Sequence, residues 1–164
     1  MQLSKPELRR HLKEARLGLS VEDRQSKSQI ITEKLDNIIV WDNVKNIHLF
    51  EPIHELCEVD ISGFKFAGNI YTSRKIDSKW HIMSASGGSE IPDNFDVIIV
   101  PMLGFDERLH RIGYGGGYYD RFLAEQPKAI KIGVCYESGF IRDLPTEDHD
   151  IPMDIIVTEE KVRR

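Results

Sequence analysis

Val97-Ile98-Ile99-Val100 is followed, after three residues, by Gly104-Phe105-Asp106-Glu107-Arg108-Leu109-His110-Arg111-Ile112-Gly113-Tyr114-Gly115-Gly116-Gly117-Tyr118-Tyr119-Asp120-Arg121-Phe122-Leu123. The first run is short, apolar and β-branched, which predicts a buried strand. Tyr119, Phe122 and Leu123 recur at helical spacing, so a helix is expected to begin near Gly117. Strand, glycine loop and helix start together can cradle an anion, because glycine lets the backbone approach a ligand and helix-start N–H groups favour phosphate. Arg111 and Arg121 bracket the loop with guanidinium groups suited to phosphate oxygens. Asp120 is placed to offer a carboxylate to a hard cation such as magnesium. A plain tight reversal has the same spacing, and that alternative stays open here. No Lys-Ser or Lys-Thr follows the glycines, so this is not a Walker loop. Tyr118 occupies the third glycine position of a dinucleotide fingerprint, which argues against that motif as well.

Working outward, the 164-residue chain is long enough for one domain with a substantial core, and a single domain over 1–164 is expected. Its 27 acidic and 22 basic side chains give a net charge of −5, which disfavours a nucleic-acid partner. No apolar run is long enough to span a bilayer, and the charged N-terminus has no apolar signal region. A cytoplasmic, monomeric protein without a membrane partner is expected. Cys57 and Cys135 are isolated and read as reduced core thiols. The six histidines lack zinc-ligand spacing.

Ser4-Lys5-Pro6-Glu7 reads as a capping box opening a helix whose buried stripe is Leu8, Leu12, Ala15 and Leu19. Lys5 and Arg9 share one face of it. Ser20 caps a second helix that turns Ile30, Ile31, Leu35 and Ile38 inward and leaves Arg24, Lys27 and Lys34 wet. Strands are expected at 47–50, 69–72, 80–83, 130–136 and 155–157, with a helix broken at Gly63 and Gly68 in the segment after Glu58. Trp80 is read as core. Strands alternating with helices predict an α/β fold, a single three-layer domain with a largely parallel central sheet flanked by helices.

Pro101-Met102-Leu103-Gly104-Phe105-Asp106, with Arg111-Ile112-Gly113-Tyr114-Gly115-Gly116-Gly117-Tyr118-Tyr119-Asp120-Arg121-Phe122-Leu123, resembles the signature of the 5-formyltetrahydrofolate cyclo-ligases, also called methenyltetrahydrofolate synthetases. The resemblance implies an ATP-dependent ligase that turns 5-formyltetrahydrofolate into 5,10-methenyltetrahydrofolate, ADP and phosphate. By that likeness Lys5, Arg9, Arg111, Gly113, Gly115, Gly116, Gly117 and Tyr119 become ATP contacts, with Arg111 and Tyr119 carrying the catalysis. Tyr114, Gly115, Gly116, Gly117 and Tyr118 are implied for folate. Ile53 to Asp60 is similar to a family segment of the folate pocket, which assigns Ile53 and Glu58 to substrate. Asp150-Ile151-Pro152-Met153-Asp154 is similar to a C-terminal family segment whose second aspartate assists magnesium, so Asp120 and Asp154 are the implied Mg2+ ligands, the other acidic side chains nearby being surface charge. Leu109 stands where the family places a glycine, which predicts an unusual backbone angle there. A non-catalytic nucleotide or folate binder on the same scaffold, and a generic sugar-phosphate enzyme, are the competing readings.

Overall fold

The computed structural model describes residues 3–164. Two helices, α1 (Lys5–Leu17) and α2 (Val21–Asp36), come first. The strand β1 (Asn46–Leu49) follows, and then a hairpin of β2 (Asn69–Ile76) and β3 (Lys79–Ser84). β4 (Val97–Pro101) leads into a small ribbon of β5 (Gly104–Phe105) and β6 (Arg111–Ile112). The chain ends with α3 (Tyr118–Ala124), β7 (Ile130–Val134), β8 (Ile155–Val157) and β9 (Val162–Arg163). Among the described residues the main sheet has seven strands in the order β3-β2-β1-β4-β7-β8-β9. Its five inner strands run parallel, and the antiparallel β3 and β9 close its edges.

β4 shows why the sheet is covered on both sides. Val97 and Ile99 pack with Ile31, Leu35 and Ile38 beside α2. Ile98 and Val100 alternate to the other face and meet Phe122 and Leu123 of α3. A strand with helices over both faces needs an unbroken apolar run, and this one has it. The three-layer, largely parallel arrangement therefore agrees with expectation. The capping box also forms: Ser4 N donates to Glu7 Oε2 at 2.9 Å and Glu7 N to Ser4 Oγ at 3.5 Å. Both cysteines are buried and free. No helix among the described residues is long and apolar enough to cross a membrane.

Several local expectations fail for identifiable reasons. No helix follows Glu58; the segment turns instead, with Ser62 N bonding Asp60 Oδ1 and Phe64 N bonding the Ile61 carbonyl. Ile30 is exposed, so the buried stripe of α2 is narrower than its sequence suggests. The basic side of α2 is not simply wet. Lys27 pairs with Glu159 at 2.5 Å, Lys34 donates to the Thr158 and Glu159 carbonyls, and Arg24 Nη1 lies 2.8 Å from Cys57 Sγ. β2 and β3 run further than expected because Asp77 and Ser78, both at positive φ (48° and 65°), make a two-residue turn.

The unusual angle at Leu109 is present, at φ 64°. The turn it serves is tied by Asp106, fully buried, whose carboxylate accepts from the backbone N–H groups of Arg108 and His110. A left-handed non-glycine residue costs roughly 1–2 kcal/mol, but the Leu109 side chain packs against the α3-side core. Leu109→Gly is thus expected to stay within about 1 kcal/mol of the parent, strain relief offsetting lost packing. Leu109→Ala keeps the strain, loses the packing and should cost about 1–2 kcal/mol. Urea unfolding compares them, and an alanine variant more stable than the glycine variant would refute this account.

Candidate functional site

The site forms at the carboxyl ends of the parallel strands, the edge at which open α/β sheets hold ligands. The chain leaves β4 there, doubles back through the β5–β6 ribbon and enters the glycine loop. Gly115 (φ 100°) and Gly117 (φ 70°) adopt angles that side chains resist, and Gly117 caps α3. A Cβ on Gly115 would meet the Arg9 guanidinium carbon at 3.3 Å, whereas nothing lies within 4 Å of one on Gly116. The loop is thus packed at one glycine and open at the next.

Cations surround it. Arg9 Nε donates to the Gly113 carbonyl at 2.9 Å, and Arg121 Nη1 to the Gly116 carbonyl at 3.2 Å. Arg111, its side chain only 7% exposed, donates from Nη2 to Asp120 Oδ1 at 2.8 Å and lies over the Tyr119 ring. Its Nε is buried without a partner. Burial acts to lower the Arg111 pKa, and Asp120 opposes it; a guanidinium at such a site keeps its charge. Burial also pushes Tyr119 far up, so its hydroxyl remains a proton-bearing donor.

Lys5 Nζ contacts Asp150 Oδ2 at 2.6 Å and Glu147 Oε1 at 3.4 Å. Burial would raise the Asp150 carboxyl, but the Lys5 ammonium and the Glu147 N–H hold it below its usual range. Asp150 also acts electrostatically on Arg111, as Asp120 does. Glu147, His149 and Asp150 turn ligand-type atoms to within 4.8 Å of one another. Asp154 is not part of this group. Its carboxylate accepts the Lys131 backbone N–H at 2.8 Å where β7 begins, at the opposite edge of the sheet from the loop. Asp120 sits in the first turn of α3, while Asp154 meets the chain beyond that helix's last turn.

Glu58 is buried, and Oε2 accepts the Ile53 N–H at 2.7 Å. Burial raises its pKa, opposed by the Ile53 N–H, the Tyr114 hydroxyl nearby and the charge of Arg16. Tyr114, held by Arg16 Nη1 at 2.9 Å, thus makes the glycine loop a neighbour of Glu58. Ile53 itself is 44% exposed beside it. A cleft of about 620 Å3 opens between α2 and this segment, with Glu58, His54 and Arg24 on its walls. Tyr118 bonds Ser73 through its hydroxyl, and Ser73 in turn meets His48 Nε2 at 2.8 Å. Burial holds His48 neutral, its pKa lowered to about 3. Trp80, expected in the core, is 44% exposed and stacks on the Tyr118 ring with centroids 4.5 Å apart. The period-2 pattern of a hairpin strand does not say which face is wet.

Three functional candidates thus escaped the sequence reading: Trp80, Asp150 and Arg16. Arg16 had one legible signal, a position seven after Arg9 and therefore on the same helix face.

Residues 78–159, half of the chain, match the family described as the 5-formyltetrahydrofolate cyclo-ligase family, and the chain belongs to it. Relatives along the whole length agree. The probable 5-formyltetrahydrofolate cyclo-ligase of Schizosaccharomyces pombe is 28% identical, across 100% of this chain and 99% of its own. The 5-formyltetrahydrofolate cyclo-ligase of Mycoplasma pneumoniae is also 28% identical, across 96% of this chain and 100% of its own. The NMR structure of Aquifex aeolicus 5,10-methenyltetrahydrofolate synthetase superposes with a TM-score of 0.83 at 28% identity, covering 99% of this chain and 93% of that one.

Proposed function

We propose that this protein converts 5-formyltetrahydrofolate to 5,10-methenyltetrahydrofolate with ATP, releasing ADP and phosphate. Besides family membership, one observation carries the reading: Arg16 holds the Tyr114 hydroxyl of the cation-ringed glycine loop at 2.9 Å, and both groups act on the buried Glu58 carboxylate beside them. A phosphate cradle and an acceptor for a pterin are thereby neighbours, as a reaction between the two substrates requires.

A formamide oxygen is a poor leaving group. Moving the γ-phosphate onto it makes an oxygen that can depart as phosphate: N10 of the same folate attacks the formyl carbon, the carbon–oxygen bond to phosphate breaks, and the N10 proton is released as the ring closes. Positioning and charge neutralisation dominate such transfers. Lys5, Arg9 and Arg111 neutralise phosphate oxygens; of the loop running from Gly113 through Gly115, Gly116 and Gly117, the backbone is open at Gly116, where the nucleotide can approach closely, with Arg9 and Arg121 packed at the glycines on either side. Tyr119 donates its hydroxyl hydrogen near the transferred group. Glu58 accepts from the ring N–H and amino group of the pterin, while Ile53 and the Tyr118 ring supply apolar contact. Asp120, paired with Arg111, and Asp150, paired with Lys5 and acting on Arg111 through its charge, are the hard oxygen donors that would hold a magnesium ion; Asp150 replaces Asp154 in this assignment. Bound there, the ion would offset charge on the nucleotide's phosphates.

Purified protein mixed with MgATP and 5-formyltetrahydrofolate tests the reading. The methenyl product has its own ultraviolet absorbance, and ADP should form in equal amount. Binding of both ligands without product would instead support the non-catalytic binder, and binding of neither would end the proposal.

A further inference from the structure

The face of α1 that carries Lys5 and Arg9 continues to Lys13 and Arg16, and its cations meet successive parts of one short segment. Arg9 reaches the Gly113 carbonyl, the Lys13 ammonium stands 5.5 Å from the centre of the Tyr114 ring, and Arg16 Nη1 donates to the Tyr114 hydroxyl oxygen at 2.9 Å. Arg16 is buried, at 4% exposure. Isolated buried charge is costly, by several kcal/mol per ion. Yet the other contacts of Arg16 are the Met102 carbonyl, the Cys135 sulfur and the Tyr136 ring, whose centre lies 5.8 Å from the guanidinium carbon, none of them charged with Cys135 kept a thiol. The ring and the neutral acceptors compensate it in part, and the nearest opposite charge comes at one remove. A guanidinium has donors only, so the Tyr114 oxygen must accept, and the Tyr114 hydrogen is free to go to the Glu58 carboxylate.

We infer that Arg16 is a positioning residue of the folate site: acting through the Tyr114 hydroxyl, it fixes Glu58 as an acceptor whose remaining lone pairs are left for the donor edge of a reduced pterin. The inference rests on the folate reading above. It assigns α1 two tasks, phosphate contact at its beginning and substrate orientation at its end.

The groups around Glu58 make the expected behaviour specific. From α1 it faces Arg16, from the loop and α3 Tyr114 and Tyr119, and from the end of β7 Tyr136, whose hydroxyl bonds the Glu58 carbonyl. Arg24 of α2 and the neighbouring His54 and Asp60 share the cleft wall. Burial acts to raise the Glu58 pKa, and Arg16 with Tyr114 oppose that rise. Losing either lets the pKa climb further, so a larger fraction of Glu58 is protonated, and a poorer acceptor, as pH falls.

Arg16→Met, Arg16→Lys and Tyr114→Phe test this, with KM for each substrate recorded from about pH 5.5 to about pH 9. Arg16→Met and Tyr114→Phe should raise the folate KM about tenfold at the acid end and approach the parent at the alkaline end, with the ATP KM little changed. Lysine should rescue in part, and the double variant should be no worse than Tyr114→Phe alone, because both changes cut the same relay. The same profile in His54→Gln separates the imidazole from Glu58. A loss independent of pH, or an equal rise in both KM values, overturns the inference. Should Arg16→Met fail to fold, Tyr114→Phe decides alone, since it removes a single oxygen. A parent protein that binds no 5-formyltetrahydrofolate by calorimetry defeats the folate reading and this inference with it. One that binds it while Tyr114→Phe shows a pH-flat loss defeats the inference only.

Discussion

Arg111→Ala is expected to lower kcat/KM for ATP about a thousandfold while the protein stays folded. The guanidinium is proposed to neutralise charge that grows on the phosphates in the transition state, and no neighbour can replace it there. Lys5 and Arg9 also meet phosphate in this reading, but each from its own anchor, at Asp150 and at the Gly113 carbonyl, and neither lies over the Tyr119 ring where Arg111 does. The fold needs Arg111 less. Its Nε has no partner, an unmet donor that detracts from stability. Asp120, left alone, is 22% exposed and can turn to water. A cost of about 1–2 kcal/mol is expected, well short of unfolding the domain. Arg111→Lys keeps the charge but cannot serve Asp120 and a phosphate together through a planar fork, so it should fall between. Steady-state kinetics with circular dichroism decide the matter. Activity within tenfold of the parent, or an unfolded alanine variant, would make Arg111 a structural residue.

The second large effect is expected at Glu58. Glu58→Gln should reduce kcat/KM for 5-formyltetrahydrofolate by at least about a hundredfold, with the ATP KM close to the parent's. A carboxylate can accept the Ile53 N–H, the Tyr114 hydroxyl and two further hydrogens. A glutamine keeps one accepting oxygen and turns an NH2 group against donors. A buried donor–donor contact is penalised far more than a missing contact with water, which is why sites built on hydrogen bonds discriminate strongly. Substrate saturation curves at fixed ATP measure this effect. An unchanged folate KM would remove Glu58 from the binding site and favour a phosphate enzyme of another kind.

What the sequence disclosed, and what it withheld, follows from the range of the interactions. The capping box at Ser4, the apolar run at 97–100 and the helix after Gly117 are set by neighbours within a turn or two, and all three stand as expected. The angle at Leu109 was legible because the resemblance marked a glycine position. Arg16 was hidden because its partners lie 98 and 86 positions away, and an arginine after Leu12 and Ala15 looks like a solvated end of the stripe. Asp150 and Asp154 flank Ile-Pro-Met and are equivalent by composition; only the sheet separates them, taking one to Lys5 and the other to the Lys131 amide. Trp80 was misplaced because an edge hairpin has one face over the core and one over the loop.

The first helix of the chain also imposes an order on biosynthesis. Its cations find their partners 98, 104 and 145 positions downstream, at Tyr114, Gly113 and Asp150. A growing polypeptide therefore carries that basic face unsatisfied until residues 113 to 150 have been made, and loop closure over such distances is slow. The proposed nucleotide seat is complete only once residues 113 to 150 have folded back onto α1, and a fragment that stops short of them lacks it.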